Sequence, residues 1–247
     1  MEYFYAPPEC FTGHRCVIEG EEFAHLTHVM RRKVGDALRI VDGAGNAYDA
    51  VIESLAARRA SCRITAKHGF LHEPRTRVTL AVALLKNPSR YDTLVEKGTE
   101  LGVAAFAPLL TERTISRHGR TDRWSKIALA AMKQSGRCVL PQILPPQPFA
   151  EFVAAAPGTA LRLLAHEEAG GDPFRGLPST DSRAEPRAEP LGQPHEVLAC
   201  IGPEGGFTSD EAELAASAGF QTVSLGSRRL RTETAAIFLA GLLLLET

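Results

Sequence analysis

The sequence predicts an α/β protein with a small β-rich module ahead of a larger parallel-sheet domain, and three observations predict it. Between residues 14 and 66 the apolar residues mostly alternate, as in Ala37-Leu38-Arg39-Ile40-Val41, which is the period of a strand with one buried face. A polar stretch with a proline, residues 68–77, then interrupts the pattern. From residue 78 onward, short apolar runs alternate with helical stretches, the order from which a parallel sheet covered by helices is built. The division predicts one domain over residues 1–70 and a second over residues 74–247.

Within the first module, two alternating runs flank Asp42-Gly43-Ala44-Gly45-Asn46, whose glycines and short polar side chains suit a hairpin turn. One helix is expected at residues 21–32, where Phe23, Leu26, Val29 and Met30 fall on one face and Arg31-Arg32-Lys33 ends it. In the second domain, strands are expected at residues 78–85, 104–110, 160–165, 197–201 and 222–225. Helices are expected at 91–101, 123–135, 149–156, 209–218 and 232–245. Residues 166–194 are rich in Pro, Gly, Arg and Glu, with the near-repeat Arg183-Ala184-Glu185-Pro186-Arg187-Ala188-Glu189-Pro190. They lack the apolar density of a core segment and read as a mobile surface loop.

Composition removes several classes of function. Of 247 residues, 44% are hydrophobic and 23% charged, a globular balance, and the formal net charge of -1 leaves no global basic footprint for nucleic acid. Any RNA surface must be local. Five scattered cysteines without a CxxC pair argue against a disulfide framework and against a cysteine zinc site, and fit reduced thiols in the cytoplasm. The first ten residues carry two acids and two prolines in place of an apolar signal core, so no export is expected. The longest apolar run, residues 235–245, is far short of the roughly 20 residues of a membrane span and reads as a helix buried in a core or subunit interface. His25 and His28 lack a third ligand nearby, so no metal is expected.

Two glycine-containing segments carry the chemistry: Gly202-Pro203-Glu204-Gly205-Gly206-Phe207 and Leu225-Gly226-Ser227-Arg228-Arg229-Leu230-Arg231-Thr232-Glu233-Thr234-Ala235. Each follows an expected strand and precedes an expected helix, a junction that lies at the carboxyl edge of an open α/β sheet, where ligands bind. Glycines there let backbone approach a ligand, and Thr208 with Glu211 has capping-box spacing. A plain strand-to-helix turn has the same spacing. Neither segment is a phosphate loop or a dinucleotide fingerprint, because GxxxxGK[ST] and GxGxxG are both absent from them. There is also no GxSxG nucleophile elbow, and Ser135 sits in Gln134-Ser135-Gly136-Arg137.

Taken together, these two segments resemble the signatures of the RsmE family of 16S ribosomal RNA uridine-N3 methyltransferases, of the SPOUT class. Further segments match in order: Val29-Met30-Arg31 with Gly35-Asp36, Glu96-Lys97 with Glu100-Leu101-Gly102-Val103, Thr111-Glu112-Arg113, and Gln134-Ser135-Gly136-Arg137. The family's usual Val-Leu-Arg is Val-Met-Arg here, a tolerable apolar exchange, and the loop after Glu167 is longer than the family pattern suggests. The resemblance implies a PUA-like β-barrel, then a SPOUT α/β domain with a C-terminal trefoil knot, working as a homodimer on 16S ribosomal RNA, within the small ribosomal subunit. It also implies S-adenosylmethionine as cofactor, held by three loops through Leu163, His166, Gly202, Pro203, Glu204, Gly205, Gly206, Leu225, Gly226, Leu230, Arg231, Thr232, Thr234 and Ala235. On this reading a side chain added at Gly205 would enter the ligand space.

Methyl transfer to uracil N3 needs alignment with the sulfonium methyl and loss of the N3 proton. Arg231 is the candidate donor to the developing charge and Glu204 the candidate proton acceptor, with Glu233 a second carboxylate nearby; each glutamate equally suits a structural role. Arg31, Arg32, Lys86, Arg113 and Arg137 are the candidate RNA contacts, joined less firmly by Lys33 and Arg90. Two other functions remain open on sequence: a SPOUT enzyme acting at another RNA position, and a non-catalytic RNA-binding protein that has lost its cofactor.

Overall fold

The computed structural model describes residues 2–158, 160–166 and 196–245. The chain divides into two compact units, Met1–Glu73 with Ala128–Leu140, and Pro74–Ile127 with Pro141–Thr247.

In the first unit, β1 (Tyr3–Tyr5), β2 (Phe11–Thr12), β3 (Arg15–Glu19), β4 (Ala37–Val41), β5 (Asn46–Ala56) and β6 (Arg59–Gly69) make one sheet of order β1-β4-β5-β6-β3-β2. All pairings are antiparallel except β1 with β4. The alternation seen in sequence puts Leu38, Ile40, Ala50, Ile52, Ala60, Cys62, Cys16 and Ile18 on one face, where they bury with Phe4 and Leu26. The expected turn follows β4. The Asp42 carboxylate accepts from the amides of Ala44 at 2.8 Å and Asn46 at 3.0 Å, and Gly43 and Gly45 take positive φ of 74° and 102°.

The helix expected at 21–32 is shorter and changes phase. α1 (Gly20–Ala24) widens into a π-helical turn over His25–Val29, closed by the Met30 amide on the His25 carbonyl at 2.9 Å. One extra residue per turn rotates the face. Leu26 stays buried while Val29, expected beside it, is 65% exposed.

Residues 128–140 group with the first unit because Met132 and Cys138 share a buried cluster with Val41 and Ala47. The polar segment after β6 is anchored rather than loose. Glu73 accepts from both Arg137 Nη2 at 2.7 Å and Arg137 Nε at 3.0 Å, and its other oxygen takes the amides of Cys138 and Val139.

The second unit begins with β7 (Arg77–Ala83), α2 (Pro88–Leu101) and β8 (Ala105–Leu110). α3 (Thr121–Ser135), whose residues from Ala128 onward group with the first unit, β9 (Gln142–Ile143), β10 (Gln147–Pro148), α4 (Phe149–Ala154) and β11 (Leu161–Ala165) come next, followed by β12 (Glu196–Ile201), α5 (Ser209–Ser217), β13 (Gln221–Val223) and α6 (Thr232–Leu244). The sheet is wholly parallel, in the order β10-β8-β7-β12-β11-β13 with β9 on β8. Helices cover both faces. Ala107, Leu109, Leu198 and Cys200 bury against Phe149, Phe152 and Val153 of α4 and Ala215 of α5. Phe106, the residue before Ala107, points the other way, where its ring leaves no room for a Cβ at Gly98 of α2. That two-sided burial is why β7 ends in the consecutive apolar residues Leu80, Ala81, Val82 and Ala83, all buried, in place of alternation.

α2 starts at Pro88, ahead of the expected residue 91, because Asn87 caps it by accepting from the Ser89 amide. The apolar α6 packs on α2, β7 and β12 and buries Ala236, Leu239, Ala240 and Leu243. No helix among the described residues is long and apolar enough to cross a membrane. From residue 167, the expected surface loop lies outside the described residues, as does the part of the knot path that would run through it.

Candidate functional site

Three loops meet at the carboxyl ends of β11, β12 and β13, which are neighbours in the sheet. After β12 the chain folds back tightly. The Gly206 amide donates to the Pro203 carbonyl at 2.9 Å with Gly206 at φ 69°. A Cβ at Gly202 would lie 3.0 Å from the Phe207 nitrogen and 3.1 Å from the Gly206 carbonyl carbon. Thr208 then caps α5 in the expected capping box with Glu211. After β11, the His166 amide reaches the Val223 carbonyl at 3.2 Å, which holds the first loop to the third.

These loops enclose a cavity of about 180 Å³. Of the sequence-expected residues, His166, Gly202, Pro203, Gly205, Gly206, Leu225, Gly226, Leu230, Thr232 and Ala235 line it. Four others do not. Leu163 is wholly buried within β11, two residues short of its end, so its side chain belongs to the core. Thr234 is exposed, because the helical spacing that turns Thr232 and Ala235 to the cavity turns Thr234 away. Arg231 is the exposed N-cap of α6, flanked by lining residues on both sides. Glu204 is exposed on the glycine loop; its carboxylate accepts from the Lys86 amide at 3.3 Å and lies 3.8 Å from Arg90. Arg90 also lies 3.6 Å from Glu233, whose other carboxylate oxygen is buried without a hydrogen-bond partner.

Ala165, Ile201, Phe207, Ser224 and Arg228 complete the lining without having been singled out in sequence, although all five adjoin or lie within the expected loops. Arg113 also lines the cavity. Sequence put it on the RNA surface, yet its guanidinium donates to the carbonyls of Gly205 at 2.6 Å and Phe207 at 3.4 Å. Its place just beyond the carboxyl end of β8 was the available signal. A Cβ at Gly205 would meet the Arg113 side chain at 3.2 Å, so the first atom of an added side chain runs against this arginine.

The remaining RNA candidates separate by burial. Arg31, with φ 51°, and Lys86 are exposed, and Arg32 is half-buried with its Nε unpartnered. Arg137 is corrected: at 3% exposure and with its guanidinium on Glu73, it is a structural residue of the first unit. The cysteines offer no thiolate. All five are free, and burial pushes the thiols up, Cys16 and Cys138 to about 12 and Cys62 to about 11.

A family model described as an RNA methyltransferase domain matches residues 72–244, and one described as an RNA methyltransferase PUA domain matches residues 18–65. The ribosomal RNA small subunit methyltransferase E of Synechocystis sp. is 35% identical over 92% of this chain and 72% of its own length. The chain belongs to this family. The methyltransferase E of Neisseria gonorrhoeae, whose crystal structure is bound to S-adenosyl methionine, superposes with a TM-score of 0.80 at 30% identity, covering 97% of this chain and 95% of that one. A Legionella pneumophila protein in complex with the same cofactor gives 0.79 at 31% identity over 98% and 96% of the two chains. The fold is therefore the family's: a PUA-like unit and a SPOUT-type α/β unit with a parallel sheet.

Proposed function

We propose that this methyltransferase moves the methyl group of S-adenosylmethionine to N3 of a uridine in 16S ribosomal RNA, in the cytoplasm and as a homodimer. The observation that carries the reading is the cavity made by three loops at the carboxyl ends of β11, β12 and β13, in a chain whose relatives are named as small-subunit ribosomal RNA methyltransferases and crystallise with that cofactor. The residues suit such a group. Gly202, Gly205, Gly206 and Gly226 line the cavity without side chains, so a ligand meets main chain there, and Leu225 and Leu230 provide apolar walls. Functionally, residues 1–70 would serve as the RNA-binding domain and residues 74–247 as the catalytic one, with the trefoil knot of the class in its C-terminal part.

When bound, the cofactor would supply an electrophilic methyl, and this chain's residues would align uracil N3 with it and take up the N3 proton. The loops' task is alignment and exclusion of water. Arg231 and Glu204 are exposed next to lining residues, a position suited to the RNA base: the guanidinium toward a uracil carbonyl oxygen, the carboxylate as proton acceptor. Arg31, Arg32 and Lys86 supply phosphate contacts. Exposed Leu101 and Phe238, on the mutually packed α2 and α6, support a subunit interface on the second unit.

Isothermal calorimetry with S-adenosylhomocysteine, followed by methyl transfer to unmodified small subunits and nucleoside analysis, tests the reading. Binding with 3-methyluridine is expected. Another methylated nucleoside would relocate the target, and a folded protein that binds RNA but no S-adenosylhomocysteine would be a non-catalytic RNA-binding protein.

A further inference from the structure

We infer that Arg113 is a positioning residue for the cofactor loop, acting through the Gly205 and Phe207 carbonyls. The inference rests on the methyltransferase reading and adds to it a residue outside the three loops.

Arg113 is held from behind. It belongs to a turn in which the Thr114 amide donates to the Thr111 carbonyl at 3.1 Å, the Thr111 amide donates to Thr114 Oγ1 at 3.0 Å, and the two hydroxyls lie 2.8 Å apart. Both threonines are buried. A backbone fixed in this way aims the arginine at the loop after β12. The neighbouring Glu112 amide donates to one carboxylate oxygen of Glu211 at 2.9 Å, while the other takes the Thr208 amide at 2.9 Å in the capping box. The turn therefore grips the 202–211 segment at two points, the glycine loop and the first turn of α5.

The grip matters because a peptide unit is rigid. The carbonyl of Gly205 and the amide of Gly206 share one plane; the carbonyl accepts from Arg113 at 2.6 Å, and the amide donates to Pro203 at 2.9 Å. Both ends of that plane are pinned, in a stretch where two consecutive glycines would otherwise give the backbone wide freedom. A loop already held in its binding conformation gives up less entropy when a ligand arrives. Both carbonyl bonds come from one nitrogen, Nη1, of a side chain that is itself exposed.

The test compares Arg113→Ala and Arg113→Lys with the wild-type chain, measuring S-adenosylhomocysteine affinity by calorimetry, binding to a small-subunit RNA fragment, and the ligand-free melting curve. Arg113→Ala is expected to weaken cofactor affinity about tenfold, as for loss of a charged hydrogen-bond donor, with RNA binding held within about twofold. Arg113→Lys should recover part of the loss, since an ammonium can serve one carbonyl. In turnover, KM for the methyl donor should rise more than kcat falls, and the ligand-free melting curve should stay close to wild type.

Cofactor affinity within about twofold of wild type in Arg113→Ala overturns the inference. So does weakened RNA binding with unchanged cofactor affinity, which would return the residue to the RNA surface. Should Arg113→Ala fail to fold, Arg113→Lys decides on the same criterion, with undiminished cofactor affinity counting against the inference. Absence of binding by the wild-type chain itself is a separate outcome that removes the methyltransferase reading and this inference together.

Discussion

Gly202 occupies a position where a side chain has nowhere to go, because the chain that leaves β12 returns within a few residues and its backbone passes 3.0 Å from the missing Cβ. The obstacle is main chain, so a rotamer change cannot relieve it. Gly202→Ala is expected to distort the loop and lower S-adenosylhomocysteine affinity about tenfold or more in calorimetry, because cavity and loop are one structure. Arg137 presents the opposite case, a charge that looks like an RNA contact and is spent on structure. Removing one partner of a buried ion pair costs about 3–5 kcal/mol, so Arg137→Ala should lower unfolding free energy on that scale in urea titrations. Weakened RNA binding at unchanged stability would restore the RNA assignment that its burial contradicts.

At the level of elements, local chemistry sets where helices begin. Asn87 with Pro88 starts α2 and Thr208 with Glu211 starts α5, each by satisfying an amide that the helix leaves free. Thr208→Ala should cost about 1 kcal/mol in chemical denaturation and should weaken cofactor binding only slightly, since Arg113 still holds Gly205. A large loss of affinity without a loss of stability would mean that Thr208 acts on the ligand directly. The π-helical turn after α1 shows the limit of periodic reasoning. An apolar face counted at ordinary helical spacing put Val29 inside, and one widened turn turned it out. Similarly, β1, β2, β9 and β10 are too short to show any period.

For the whole molecule, assembly is the open property that an experiment settles most directly. Sedimentation of the purified chain is expected to give twice the chain mass, and Phe238→Glu, which places a charge on the exposed flank of α6, should shift it toward the single chain. A wild-type monomer at micromolar concentration would remove the proposed homodimer.

By itself the amino-acid sequence determined the two-part organisation, the parallel α/β order, the two glycine segments and the family they resemble. All of these are written in local pattern: period, turn chemistry and short ordered motifs. Tertiary structure decided which side chains those segments turn toward one another. Leu163 went to the core and Thr234 to the surface because facing depends on strand ends and helix phase. Arg113 and Arg137, alike as isolated letters, parted because the parallel sheet brings the end of β8 to the glycine loop, while residues 128–140 return to the first unit and meet Glu73. Contacts between residues about 60 to 90 positions apart leave no periodic trace along the chain, and they are made only when the packed elements bring them together.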